Sequence, residues 1–123
     1  MAVPNQDKIR EEEIIFDVDS FPALLGNVWE FFVYLMSDLT AKGYHWELWH
    51  AHGMRSPHLY CYIPELKEMP PIEREQYKKL FLQKYCPQAD LNMAEEGHFI
   101  SAKDKPHFKY GFIKRKLLEN KNA

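Results

Sequence analysis

Two aspartates with one residue between them, Asp17 and Asp19, close the first apolar run of the sequence, residues 13–20. In a β-strand successive side chains point to opposite faces, so the two aspartates share one face while Phe16 and Val18 share the other. Their β-carbons would lie about 7 Å apart, a spacing that suits two carboxylates leaning onto one divalent cation. Helix capping by Asp19 and the residue that follows it is the alternative.

A second polar group lies where a turn leads into a later strand, at Arg55 and His58. A histidine and an arginine beside paired carboxylates would place an anion site opposite a cation site. A nucleoside triphosphate with its bound metal requires this arrangement. The alternative is that Arg55 is an ordinary turn residue and His58 lies on a strand surface.

A third carboxylate, Asp90, precedes a stretch rich in histidine and lysine, residues 98–111. Asp90 could complete a set of three metal ligands, and His107 and Lys109 are suitable contacts for a phosphate or a sugar. Alternatively, Asp90 belongs to an ordinary turn and the lysines are simply solvated.

Hydrophobic periodicity predicts the elements that must position these residues. A helix is expected to begin at Phe21 and to end before Gly43, and Pro71 is well placed in the first turn of a second helix that ends at Tyr85. Alternation and β-forming residues predict four strands. The predicted strands are 13–19, 45–50, 57–63 and 98–102.

This order of elements predicts an α+β fold of the split βαβ kind, with a four-stranded antiparallel sheet and two helices on one of its faces. We expect the first and third predicted strands to be central neighbours. Because the apolar face of the first strand must meet the helices, the carboxylate face is expected to be open.

Composition fits one domain: the chain has 123 residues, of which 46% are hydrophobic, and this suffices for a core. We expect residues 1–12 to form a flexible leader and residues 13–123 to form the domain. The net charge is −2, but lysine and arginine collect in residues 103–121, as expected where a phosphate backbone meets a metal site. A solvated basic tail explains the same pattern.

The two cysteines, Cys61 and Cys86, lie far apart in apolar surroundings. We expect them to be reduced core thiols in the cytoplasm. No window of the sequence approaches the length needed to span a bilayer, so we expect no membrane partner.

Taken together, the three polar stretches resemble the motifs of the archaeo-eukaryotic primase superfamily, most closely the small catalytic subunit of DNA primase. Residues 13–20 resemble its first motif, a hydrophobic strand that ends in Asp-x-Asp. Residues 49–63 resemble its second motif, including a Ser-x-His form at 56–58. Asp90 and residues 98–111, which end in His-x-Lys-x-Gly, resemble its third motif.

The resemblance implies an RRM-like palm that carries out metal-dependent nucleotidyl transfer with Mg²⁺ or Mn²⁺, using nucleoside triphosphates and a DNA or RNA template. A larger primase subunit or a helicase is an implied partner. The implied metal ligands are Asp17, Asp19 and Asp90. The implied nucleotide contacts are Arg55, Ser56, His58, His107 and Lys109.

Two further functions remain open at this point. One is a palm that binds nucleic acid or a replication partner without catalysis. The other is a metal-dependent nuclease, whose candidate nucleophiles would be Tyr60, Tyr62 and Tyr77.

Overall fold

The computed structural model describes residues 4–18, 28–50, 57–107 and 109–120. Within these ranges the chain forms six β-strands, two α-helices and two short 3₁₀ segments. The strands are β1 (Gln6–Lys8), β2 (Glu13–Asp17), β3 (His45–His50), β4 (Pro57–Tyr62), β5 (Phe99–Ser101) and β6 (Arg115–Glu119). The helices are α1 (Val28–Ala41) and α2 (Pro71–Tyr85), and the 3₁₀ segments are Pro64–Glu68 and Leu91–Ala94.

The main sheet has four antiparallel strands in the order β2-β4-β3-β6. This confirms the α+β class and the four-stranded antiparallel sheet. It also confirms that the first and third predicted strands are neighbours, since β2 pairs with β4 along its whole length. The expected central position of the first strand is wrong, because β2 lies at an edge of the sheet.

The fourth strand of the main sheet is not the predicted one. Residues 98–102 were expected to fill this place, but β5 pairs with β1 in a separate two-stranded ribbon. The fourth strand is β6, which pairs with β3 across a bulge. The ribbon also contains part of the segment expected to be a flexible leader. This segment is ordered because the side chain of Ile9, which follows β1, is buried.

Both helices cover one face of the main sheet, as the sequence predicted. On α1 the buried side chains are Phe32, Leu35, Met36 and Leu39, which follow the spacing of one helical face. They pack into one core with Phe81 and Leu82 of α2 and with the inward side chains of the sheet. Gly43, with φ of 84°, adopts the left-handed conformation that ends helices after their last turn.

The opposite face of the sheet is not open where Asp17 lies, so this expectation is wrong. A second apolar cluster joins Ile15, Trp49 and Tyr60 of the sheet to Ile100 of the ribbon and to Met93. The reason lies in β2, where Ile15 shares the face of the aspartate and needs an apolar partner. Every residue of β2 is consequently buried.

Candidate functional site

Asp17 and His58 lie directly opposite each other on β2 and β4 at one end of the paired strands. Asp17 Oδ1 and His58 Nε2 are 3.5 Å apart, and both residues are 6% exposed. Burial is the main reason that the pKa of His58 lies below its ordinary value, and the charge of Lys114 adds to this effect. The geometry therefore brings a carboxylate and an imidazole with a lowered pKa together in a largely dry environment.

Asp90 is brought to the same end of the sheet by its backbone. Its N–H donates a hydrogen bond of 2.8 Å to the carbonyl oxygen of Asp17. Its carboxylate Oδ1 accepts from the N–H of Asn92 at 2.9 Å and so caps the 3₁₀ segment Leu91–Ala94. The backbones of Asp17 and Asp90 are therefore neighbours, but among the described residues the side chains of Asp17, His58 and Asp90 do not form a group of ligand atoms within 4.8 Å of one another. The third expected ligand, Asp19, lies outside the described residues.

The expected nucleotide contacts Arg55 and Ser56 also lie outside the described residues. The residues that flank this segment are described, and they are placed near the candidate site. His50 and Pro57 pair with each other at the end of the sheet that holds His58.

His107 and Lys109 belong to a tight turn after the ribbon. His107 Nδ1 accepts from the backbone N–H groups of Lys109 and Tyr110, at 3.1 and 3.2 Å. The charge of His107 contributes to the lowered pKa of His58, which places it in the electrostatic surroundings of the site. Lys109 is exposed, and its Nζ lies 5.4 Å from the centre of the Tyr110 ring.

Lys114 is a component of the site that the sequence analysis missed. It is 1% exposed, and its Nζ donates to the Tyr60 hydroxyl and, at 3.0 Å, to the carbonyl oxygen of Ser101. Burial, together with the charge of Lys103, lowers the pKa of Lys114 to about 7. Lys114 stands in a basic stretch of the sequence, and no local pattern distinguishes it from its exposed neighbours.

A separate polar group lies at the other end of the sheet. His45, Glu47 and Glu119 each offer one ligand atom, and these three atoms lie within 4.8 Å of one another. These carboxylates already form ion pairs with lysines. Lys103 Nζ lies 3.1 Å from Glu47 Oε1, and Lys116 Nζ lies 2.9 Å from Glu119 Oε1. A metal ion would have to displace these cations, so the group resembles a surface ion-pair network more than a prepared metal site.

The same end holds a cleft of about 600 Å³ between the ribbon and the main sheet, lined in part by Glu13, Glu47, Tyr62 and Lys103. Burial alone would raise the pKa of Glu47, but hydrogen bonds from Tyr62, Trp49 and Lys103 hold it below its usual range. Lys103 Nζ lies 4.2 Å from the centre of the Tyr60 ring, so this lysine is engaged by aromatic faces as well as by Glu47.

The tyrosines considered as nuclease nucleophiles are poorly suited to that role. Burial raises the pKa of Tyr60, Tyr62 and Tyr77 above the ordinary value. A phenol with a raised pKa stays protonated at neutral pH and is a weak nucleophile. The nuclease alternative therefore has no support from the described tyrosines.

Comparison with known proteins gives no match: neither a family model, nor a curated protein, nor a solved structure matches this chain. In the described part of the chain, neither α-helix has the length and apolar character needed to cross a bilayer. Both cysteines are free and buried, as the sequence predicted.

Proposed function

We propose that this chain is a primase/polymerase-like nucleotidyltransferase domain, an RRM-like palm that binds a nucleoside triphosphate with Mg²⁺ or Mn²⁺ at the end of β2 and β4. One observation carries the proposal. Asp17, His58 and Asp90 come from three separate polar stretches of the sequence: the side chains of Asp17 and His58 face each other at one end of the sheet, and the backbone N–H of Asp90 donates to the Asp17 carbonyl oxygen there.

The donor chemistry of the site suits the proposed ion. Carboxylate oxygens are the ligands that Mg²⁺ and Mn²⁺ prefer, and the backbone contact between Asp90 and Asp17 puts two such groups on adjacent segments. Asp17, Asp19 and Asp90 would hold the ion. A bound divalent ion would lower the pKa of an attacking hydroxyl group and neutralise charge on the transferred phosphoryl group.

The remaining site residues would bind the nucleotide. His58 lies beside Asp17, and His107 lies within its electrostatic surroundings. With Arg55, Ser56 and Lys109 they would contact the phosphates. The basic stretch 103–121 would contact a DNA or RNA template. A larger primase subunit or a helicase is the proposed partner, and a reducing cytoplasm is the proposed location.

The direct test replaces the carboxylate at the centre of the site. Asp17→Asn keeps the size of the side chain but removes its charge, and we expect it to reduce Mn²⁺-dependent nucleotide binding and primer extension by at least about tenfold. Asp38→Asn is the matched control, because Asp38 is an exposed aspartate on α1. Nucleotide incorporation by Asp17→Asn at the rate of the unmodified chain would refute the proposal.

The burial of Asp17 and His58 favours a second candidate, a palm that binds nucleic acid without catalysis. With each residue 6% exposed, a substrate would have to displace covering groups to reach them. A pure binding domain would bind single-stranded nucleic acid with an affinity that falls steeply with salt. It would show no Mn²⁺-dependent nucleotide uptake, and Asp17→Asn would leave its affinity unchanged.

A further inference from the structure

The cleft between the ribbon and the main sheet contains an aromatic cage that surrounds an ammonium group. The cage consists of Trp49, Tyr60, Tyr62 and Glu47, and the ammonium is that of Lys103. Lys103 Nζ lies 4.9, 4.2 and 5.3 Å from the ring centres of Trp49, Tyr60 and Tyr62, respectively. Each distance is within the range of about 6 Å over which an aromatic ring attracts a cation. Lys103 Nζ is also 3.1 Å from Glu47 Oε1, so the cage holds an alkylammonium group with rings and a carboxylate together.

The main sheet builds the cage, whereas the ammonium group comes from outside the sheet. Glu47 Oε1 accepts hydrogen bonds from Trp49 Nε1 at 3.0 Å and from the Tyr62 hydroxyl at 2.8 Å, so its position does not depend on Lys103 alone. The four cage residues lie on β3 and β4, the two central strands of the main sheet. Lys103 lies in a turn two residues after the end of β5. A side chain on such a turn can leave the cage while the strands stay in place.

The cleft has room for a ligand larger than one ammonium group. Its volume is about 600 Å³, within the range of about 300–1,000 Å³ that is typical of small-molecule sites, and the Lys103 side chain is 26% exposed. Without the Lys103 ammonium, the carboxylate residues of the lining outnumber its cations: they are Asp7, Glu12, Glu13 and Glu47, against Lys8 and Arg10. The excess remains when Glu12, which pairs with Lys67, is left aside. The cleft therefore favours a ligand with more than one positive charge.

We propose that this cleft binds an aliphatic polyamine, one ammonium group of which takes the place of Lys103 in the cage while its other amines pair with the remaining carboxylates of the lining. The inference goes beyond the proposed function and does not depend on it. Because one ammonium group replaces another, Glu47 keeps a counter-charge throughout the exchange. Lys103 acts as an internal competitor, which lowers the apparent affinity for the ligand.

Calorimetric titration with spermidine tests this competition. Lys103→Ala empties the cage, and we expect it to bind spermidine about tenfold more tightly than the unmodified chain does, as follows if Lys103 leaves the cage for about a tenth of the time. Lys116→Ala is the matched control, because Lys116 Nζ lies 3.9 Å from Glu47 Oε2 but is not the cation in the cage. It removes the same charge, and we expect its affinity to change by less than about threefold. Equal gains in both variants, or no gain in Lys103→Ala, would overturn the proposal.

A second variant removes the carboxylate of the cage and keeps its rings. Glu47→Gln leaves the ammonium group of the ligand without its counter-charge, so we expect spermidine to bind at least about tenfold more weakly. An unchanged affinity of Glu47→Gln would mean that spermidine binds elsewhere and would overturn the proposal.

A measurement on the unmodified chain covers the case in which a variant does not fold. Because the Lys103 ammonium lies over three aromatic rings, we expect its Cε protons to resonate upfield of those of Lys116. They should move toward the ordinary lysine position as spermidine is added. A chain that does not bind spermidine, or that binds it with the Lys103 signal in place, would overturn the inference. Either result leaves the proposed nucleotidyl transfer unaffected, because that proposal is tested at Asp17.

Discussion

At the scale of single residues, the account depends on polar groups that are buried beside each other. The alternation of β2 correctly predicted that Asp17 lies opposite the helices, and the neighbouring positions of β2 and β4 were expected, so the approach of His58 was predictable. The burial of Asp17 and His58 was not predictable, because it depends on a ribbon formed by distant segments. Lys114 could not be singled out either, because a lysine in a basic stretch is normally exposed.

The lowered pKa of Lys114 makes a prediction about stability. The folded chain holds this amine at a pKa of about 7, whereas the unfolded chain has the ordinary value of about 10.4. Between these values the unfolded state binds more protons, so stability should rise with pH. From pH 7 to pH 9 we expect the free energy of unfolding to increase by about 2 kcal/mol relative to Lys114→Met.

Urea unfolding of both proteins at the two pH values measures this difference. Because the variant has no group that titrates at position 114, other ionisable groups largely cancel in the comparison. Parallel pH profiles of the two proteins would show that Lys114 is not held at a lowered pKa.

At the scale of elements, the ribbon is the part of the fold that the sequence patterns did not predict. Its strands β1 and β5 have three residues each, too few for a periodic pattern to separate a strand from a loop. The longer elements were recognisable, because α1, α2, β3 and β4 each extend over several repeats of their period.

The ribbon should contribute to stability through one buried side chain. Ile100 is 6% exposed and packs in the second apolar cluster, whereas its neighbour Phe99 is exposed. We expect Ile100→Ala to lower the free energy of unfolding by about 2–4 kcal/mol, because it leaves a cavity between the ribbon and the sheet. Phe99→Ala is the matched control and should cost less than about 1 kcal/mol.

Chemical denaturation of the two variants tests this role of the ribbon. If both substitutions lowered the free energy of unfolding by the same small amount, the ribbon would not seal the second face of the sheet.

At the scale of the whole molecule, the class of fold was predictable and the arrangement of its strands was not. The predicted sheet required residues 98–102 as its fourth strand, but β6 takes that place on the far side of β3. Sequence patterns define which segments are strands, while strand order depends on which distant segments the connections bring together. The approach of Asp17 to His58 and the backbone contact of Asp90 survive this difference, since they depend on β2, β4 and the segment before Leu91.

The central claim is that a divalent ion binds at the end of the sheet that holds Asp17. The competing polar group lies toward the other end: His45 is about 13 Å along the strands from the Asp17–His58 pair, four residues away, whereas Glu47 and its partner Glu119 are about 7 Å away, two residues along. Paramagnetic line broadening by Mn²⁺ falls with the sixth power of distance, so the order in which amide signals of the ¹⁵N-labelled chain broaden shows whether the ion lies nearer to Asp17 or to His45.

With Mn²⁺ below one equivalent and a nucleoside triphosphate present, we expect the amide signals of Asp17, His58 and Asp90 to broaden first. Asp17→Asn should abolish this selective broadening. Broadening that centres on His45 and Glu119, and that persists in Asp17→Asn, would contradict the proposed site.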